Sequence, residues 1–204
     1  MTENTKKRIG VLASGGGSNM QAIMDAIDRG EINGEIVIVI SDNPNAKALE
    51  KATGRGIDIK IIQPIEYPTR EEFSKAIYEA LKTYKLDLLI LAGFMRVITK
   101  ELLQPFHGKM LNIHPSLIPS FCGKGFFGHH VHEAVIKKGV KFTGCTVHFV
   151  TEEVDGGPII IQRIVPVLPD DTPEAVAARV LVEEHIAYPE AVKLFCENKL
   201  KLNE

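Results

Sequence analysis

The 204-residue sequence is poor in cysteine: Cys122, Cys145 and Cys196 are all it has, and no two form a C-x-x-C pair. An odd, unclustered set argues against a disulfide framework and for a reducing compartment. No apolar run approaches the ~20 residues that span a bilayer. Met1 to Arg8 is polar and leads directly into a strand-like run, without the apolar stretch of a signal peptide. A formal net charge of -2 gives no global attraction to nucleic acid or to an anionic membrane. These absences point to a cytoplasmic protein with neither nucleic acid nor membrane as partner. Monomer and homodimer stay open. Hydrophobic residues at 45% and charged residues at 25% are ordinary for a globular chain of this length with one sizeable core.

Short runs rich in Val and Ile alternate with amphipathic stretches. Residues 9–13, 36–40, 59–62 and 86–92 read as buried strands. Helical patterns lie between them at 19–29, 46–53 and 70–84. Thr69 with Glu72 forms a capping box for the third helix, and Gly30 closes the first. Strands apolar on both faces, alternating with helices, predict an α/β fold: a mostly parallel central sheet with helices on both faces. A strand at 110–113 and a Pro- and Gly-rich loop at 115–128 follow. A short helix at 130–138 comes next, then strands at 142–150 and 159–165 joined through Asp155-Gly156-Gly157. Thr172 and Pro173 start the last helix, which Pro189 is expected to kink or break. No linker divides the chain, so a single domain over residues 1–204 is expected.

Ser14-Gly15-Gly16-Gly17-Ser18-Asn19 lies between the first strand and the first helix. Unpaired N–H groups at a helix start, approached over glycines, suit a phosphate. G-x-x-x-x-G-K-[ST] is missing and the spacing is not G-x-G-x-x-G, so a phosphomonoester fits better than ATP or a dinucleotide. A plain turn with Ser18 as N-cap is the bland alternative.

Asn112 and His114 alternate on one strand and so share a face, at the C-terminal end where open parallel sheets bind ligands. An amide donor beside an imidazolium suits the oxyanion of acyl transfer. A carboxylate near the imidazole would favour its charged form, and Asp155 is placed to supply one. The alternative is a pair of satisfied core residues, with Asp155 in an Asx-turn. His129, His130 and His132 match no zinc spacing and read as a solvated helix face, so no metal is expected. Cys145 and Cys196 read as small buried hydrophobes. His148 reads as a satisfied core residue or as support for the site. The loop 120–128 is either a lid or a structural bulge.

Six segments in order, SGGGSN (14–19), LAGFMRV (91–97), LNIHPSL (111–117), TVHFV (146–150), DGGPI (155–159) and Glu184-His185, resemble the folate-dependent phosphoribosylglycinamide formyltransferases. The resemblance implies a Rossmann-like formyltransferase fold. It also implies transfer of a formyl group from 10-formyltetrahydrofolate to the amine of glycinamide ribonucleotide (GAR) in purine synthesis. Matching positions give Asn112, His114 and Asp155 as the catalytic trio. Gly17, Ser18 and Asn19 would hold the substrate phosphate, and Glu184 the ribose hydroxyls. Arg70, Met95, Arg96, Val97, Ile98, Asn112 and the run Thr151, Glu152, Glu153, Val154, Asp155 would form the folate side. The departure from the pattern is SFCGKGFFG at 120–128. A formyltetrahydrofolate deformylase-like hydrolase is the nearest alternative, but that family carries an extra N-terminal domain. A methionyl-tRNA formyltransferase would need a basic C-terminal domain. A non-catalytic nucleotide-binding module would need no such trio.

Overall fold

In the computed structural model, residues 5–200 and 202 are described; the start of the polar N-terminal reading and Lys201 lie outside them. Seven strands form one sheet in the order β3-β2-β1-β4-β5-β6-β7. β1 (Lys7–Leu12), β2 (Gly34–Ser41), β3 (Asp58–Ile61), β4 (Leu88–Leu91) and β5 (Met110–His114) run parallel. β6 (Phe142–Phe149) and β7 (Ile159–Pro166) add an antiparallel edge. The fold is therefore the expected mostly parallel α/β sheet.

Helices cover both faces. α1 (Ser18–Asp28), α2 (Lys47–Thr53), α5 (His129–Lys138) and α6 (Pro173–Cys196) pack on one side, where Ile9 and Val11 point. α3 (Arg70–Leu81) and the short α4 (Lys100–Leu103) cover the other, over Leu12, Ile38 and Ile40. This is the period-two alternation of a strand buried twice. The predicted starts of two helices recur in the side chains: Thr69 accepts from the Glu72 N–H and Thr172 from the Ala175 N–H. Gly30 ends α1 in the left-handed region, its N–H on the Ile27 carbonyl and the Glu31 N–H on that of Ala26.

Three expectations are corrected. β3 is not buried: all four residues are exposed, because β3 is the outermost strand. α4 is an addition to the predicted helices: it follows Thr99, a favoured N-cap type, but spans only four residues, too few to show a helical period. α6 runs through Pro189 without ending. Ala187 and Tyr188 before the proline, and Ala191 and Val192 after it, are fully buried. Packing on both sides outweighs the missing hydrogen bond. Among the described residues no helix is long and apolar enough to cross a membrane.

Tyr188 ties α6 to the sheet beneath the site. Its buried hydroxyl lies 2.9 Å from the Leu91 carbonyl and 3.0 Å from that of Leu111, so one proton serves the last residue of β4 and the second of β5. Tyr188→Phe is expected to cost about 1–3 kcal/mol, the penalty of leaving buried carbonyls short of a donor. Urea unfolding measures it; an unchanged midpoint would contradict it.

Candidate active site

The strand order reverses between β1 and β4, and that switch point opens a crevice beyond their C-terminal ends. The glycine loop borders it. Ser14 N–H bonds the Gly93 carbonyl at 3.1 Å, and the Ser14 hydroxyl accepts from Met95 N–H at 2.9 Å. A pocket of about 230 Å³ is lined by residues 14–19 with Ala92, Gly93 and Met95. The N-cap of α1 is Gly17, not Ser18, and no side chain caps the helix. The N–H groups at the start of α1 are thus left for whatever enters the pocket. Gly17 has φ of 64°, and a Cβ there would lie 2.8 Å from Ala48 Cβ, so both conformation and space call for glycine.

A second, larger cleft of about 830 Å³ shares Asn19, Gly93 and Met95 with the first. Asn112, His114 and Asp155 line it together, as do Arg70, residues 95–98, residues 151–154 and Glu184. The structure thus gathers the expected site residues around two adjoining spaces, with Gly17 and Ser18 on the smaller one. Arg96 differs in detail: its Nε donates to Asp42 at 2.5 Å, so its charge is already matched by a nearly inaccessible carboxylate.

The trio is held by its surroundings. β5 and β6 pair Asn112 with His148 and His114 with Thr146. His148 Nδ1 lies 2.8 Å from the Phe149 carbonyl, an acceptor, so this nitrogen carries the proton. Its Nε2 is then a lone pair, and it accepts from Asn112 Nδ2 at 3.1 Å. One Asn112 amide hydrogen is spent on His148; the amide is thereby oriented with its second hydrogen available. Burial lowers the pKa of His148, which suits a neutral acceptor.

His114 is fixed in a similar way. Its Nε2 donates to the Phe121 carbonyl at 2.9 Å. Its Nδ1 therefore faces Asp155 Oδ2, 3.5 Å away. The same Oδ2 accepts from Gly123 N–H at 2.9 Å, and Oδ1 lies 3.7 Å from His148 Nε2. Two backbone groups of the 120–128 loop thus position His114 and Asp155. No side-chain motif could reveal them, since neither is a side chain. The sequence favours a satisfied core residue for His148, because the cross-strand register that sets it against Asn112 cannot be read from one strand.

Also lining the cleft, Glu184 of α6 accepts from Asn19 Nδ2 at 2.7 Å. Burial pushes the Glu184 pKa up. The histidines of α5 divide. His129 and His130 are exposed and pair with Glu133, and His129 also with Glu174. His132 is buried and lines the cleft, which corrects the expectation of a wholly solvated face. Its direction follows from helix phase: it lies with Val131 and Val135 on the packed side. Cys145 and Cys196 are buried, their thiols pushed up to about 12 and about 11.

Burial pushes His132 down to about 4 and lowers His148 and His185 too, all from 6.5. The unfolded chain takes up these protons near that value, whereas the folded chain resists them. The stability they contribute is complete above about pH 6.5 and is lost as pH falls toward about 4. Glu184, raised, slopes the other way. The urea midpoint of His132→Leu is expected to depend less on pH across that window than the wild type's; equal slopes would contradict this.

A family model described as formyl transferase matches residues 7–192. "Phosphoribosylglycinamide formyltransferase, chloroplastic" from Arabidopsis thaliana is 38% identical over 99% of this chain and 70% of its own length. "Trifunctional purine biosynthetic protein adenosine-3" from Bos taurus is 44% identical over 98% of this chain, which spans 19% of that protein. The crystal structure of glycinamide ribonucleotide transformylase 1 from Symbiobacterium toebii superimposes with a TM-score of 0.92 at 46% identity, covering 98% of this chain and 92% of that one.

Proposed function

The chain belongs to the formyl transferase family, on its phosphoribosylglycinamide formyltransferase branch, and from that premise we propose that it moves the formyl group of 10-formyltetrahydrofolate directly to the glycinamide amine of GAR. One observation carries the reading. The cleft lined by Asn112, His114 and Asp155 runs into the glycine-loop pocket through Asn19, Gly93 and Met95. A phosphate on the loop and an amine at the trio can therefore belong to one molecule. Glu184, between them on α6, takes the ribose hydroxyls. Folate enters from the side of Arg70, Met95 to Ile98 and Thr151 to Asp155.

In the transfer, the amine lone pair attacks the formyl carbon and the carbonyl π pair moves to oxygen. The free Asn112 amide hydrogen donates to that oxyanion, and the His114 imidazolium stabilises it by charge. His114 acts through its field because both ring nitrogens already have partners. The amine proton leaves toward Asp155, directly or through a water. The intermediate collapses by breaking the bond to the folate nitrogen, which takes up the proton that the amine gave to Asp155. The enzyme forms no covalent bond, and GAR and folate are its small-molecule partners.

The test supplies 10-formyltetrahydrofolate with and without GAR and follows folate product by absorbance. Product is expected only when GAR is present. Release without GAR would favour the hydrolase, and no reaction with GAR would remove the proposal.

A further inference from the structure

His132 is a buried polar residue that the reaction above does not use. It lies on the packed side of α5 and lines the large cleft together with Asn19, His114 and Glu184. Its Nδ1 is sealed from solvent and has no hydrogen-bond partner among the described residues. Its Nε2 is not among the sealed atoms, and the ring borders the cleft, so Nε2 is the nitrogen open to it. Ala177, Ala178 and Leu181 line the same cleft, and a buried imidazole without a partner costs more there than an apolar side chain would. A polar ring kept there without a protein partner is explained by a partner on the ligand.

We propose that His132 binds the amino substrate, donating its Nε2–H to the carbonyl oxygen of the glycinamide group. The assignment rests on the proposed reaction and adds a contact to it. In GAR the amide carbonyl stands between the ribose and the attacking amine. His132 lines the same cleft as Glu184, the proposed ribose partner, and is close enough to His114 for the two rings to interact electrostatically. The chemistry fits an amide. A neutral imidazole with one sealed nitrogen offers one uncharged donor, matched to an uncharged acceptor. Burial and the neighbouring His129 and His114 all disfavour a charge on His132.

The test is steady-state kinetics of the whole protein with His132→Leu and His132→Gln, varying each substrate in turn. His132→Leu is expected to raise KM for GAR about tenfold or more, the loss of one buried hydrogen bond, with KM for folate within about twofold of wild type. Gln places its amide nitrogen near the former Nε2 and is expected to restore most of the GAR affinity. A GAR analogue with a methylene in place of the amide carbonyl serves as second probe. Its inhibition constant is expected to be equal for wild type and His132→Leu. Unchanged KM for GAR in the Leu variant overturns the proposal. So does an equal loss of affinity for GAR and for the analogue, which would mark a merely structural effect. If His132→Leu fails to fold, His132→Asn, whose amide falls short of Nε2, replaces it with the same expectations. Wild-type turnover is measured first: its absence overturns the reaction, whereas the outcomes above bear only on His132.

Discussion

Asp155→Asn is expected to lower kcat by about 10²–10⁴-fold, the range for removal of a positioned acid–base group. The substitution is mild for the backbone. Asp155 has φ of 56°, a left-handed value that asparagine tolerates nearly as well as aspartate. The amide oxygen can still accept from Gly123 N–H, so the loop keeps its anchor. What disappears is the negative charge 3.5 Å from His114 Nδ1. Without it the His114 ring loses the carboxylate that faces its Nδ1. The proton released by the amine also loses its acceptor. kcat and KM measured across pH, with thermal unfolding as a control, separate these effects from misfolding. Full turnover at every pH would remove Asp155 from the mechanism. His114→Ala is expected to be about as damaging, and the double variant little worse than either, because the two act as a unit.

Gly157→Ala is expected to destabilise the protein by about 3 kcal/mol, the upper part of the overpacking range, and to abolish most activity in the protein that remains folded. A Cβ at this position would stand 1.9 Å from the Phe149 carbonyl oxygen and 3.1 Å from Thr151 Cγ2. The Phe149 oxygen cannot retreat freely. It accepts from His148 Nδ1, and the Phe149 N–H is bonded to the Pro158 carbonyl. Displacing it loosens the tautomer of His148, and with it the amide orientation of Asn112. The same push moves the turn that carries Asp155. Gly156→Ala is the control. A Cβ at Gly156 also meets an obstacle, at 2.4 Å, but only the side chain of exposed Glu153, which can swing into solvent. Urea midpoints and kcat of the two variants should therefore diverge sharply. Similar values would show that the strand end yields easily and that the Phe149 carbonyl does not position the site.

Much of this site was legible in the sequence, for reasons that can be named. Period-two alternation put Asn112 and His114 on one face before any coordinates. Strand–glycines–helix chemistry singled out residues 14–19, and the switch point of the sheet set that loop against Gly93 and Met95. The resemblance joined Asp155 to the trio, where local patterning left an Asx-turn open. Other features needed three dimensions. The groups that orient His114 and Asp155 are the Phe121 carbonyl and the Gly123 N–H, which any residue types could supply. His148 acquires its role from the pairing of β5 with β6. β3 alternates as Asp-Ile-Lys-Ile, a period-two pattern that marks a strand but cannot say whether it lies at an edge. Pro189 obeys a local rule that tertiary packing overrides. His132 differs from its neighbours His129 and His130 in being buried. Counting helix phase from Val131 and Val135 would have set it apart.

The direct route of the formyl group is tested most sharply by following its carbon. The protein is mixed in single-turnover amounts with 10-formyltetrahydrofolate labelled at the formyl carbon, with and without GAR, and the label is traced. All of it is expected on the amine of GAR, none as free formate and none attached to the protein, with no consumption when GAR is omitted. Label in formate without GAR, or bound to the chain during turnover, would contradict direct transfer.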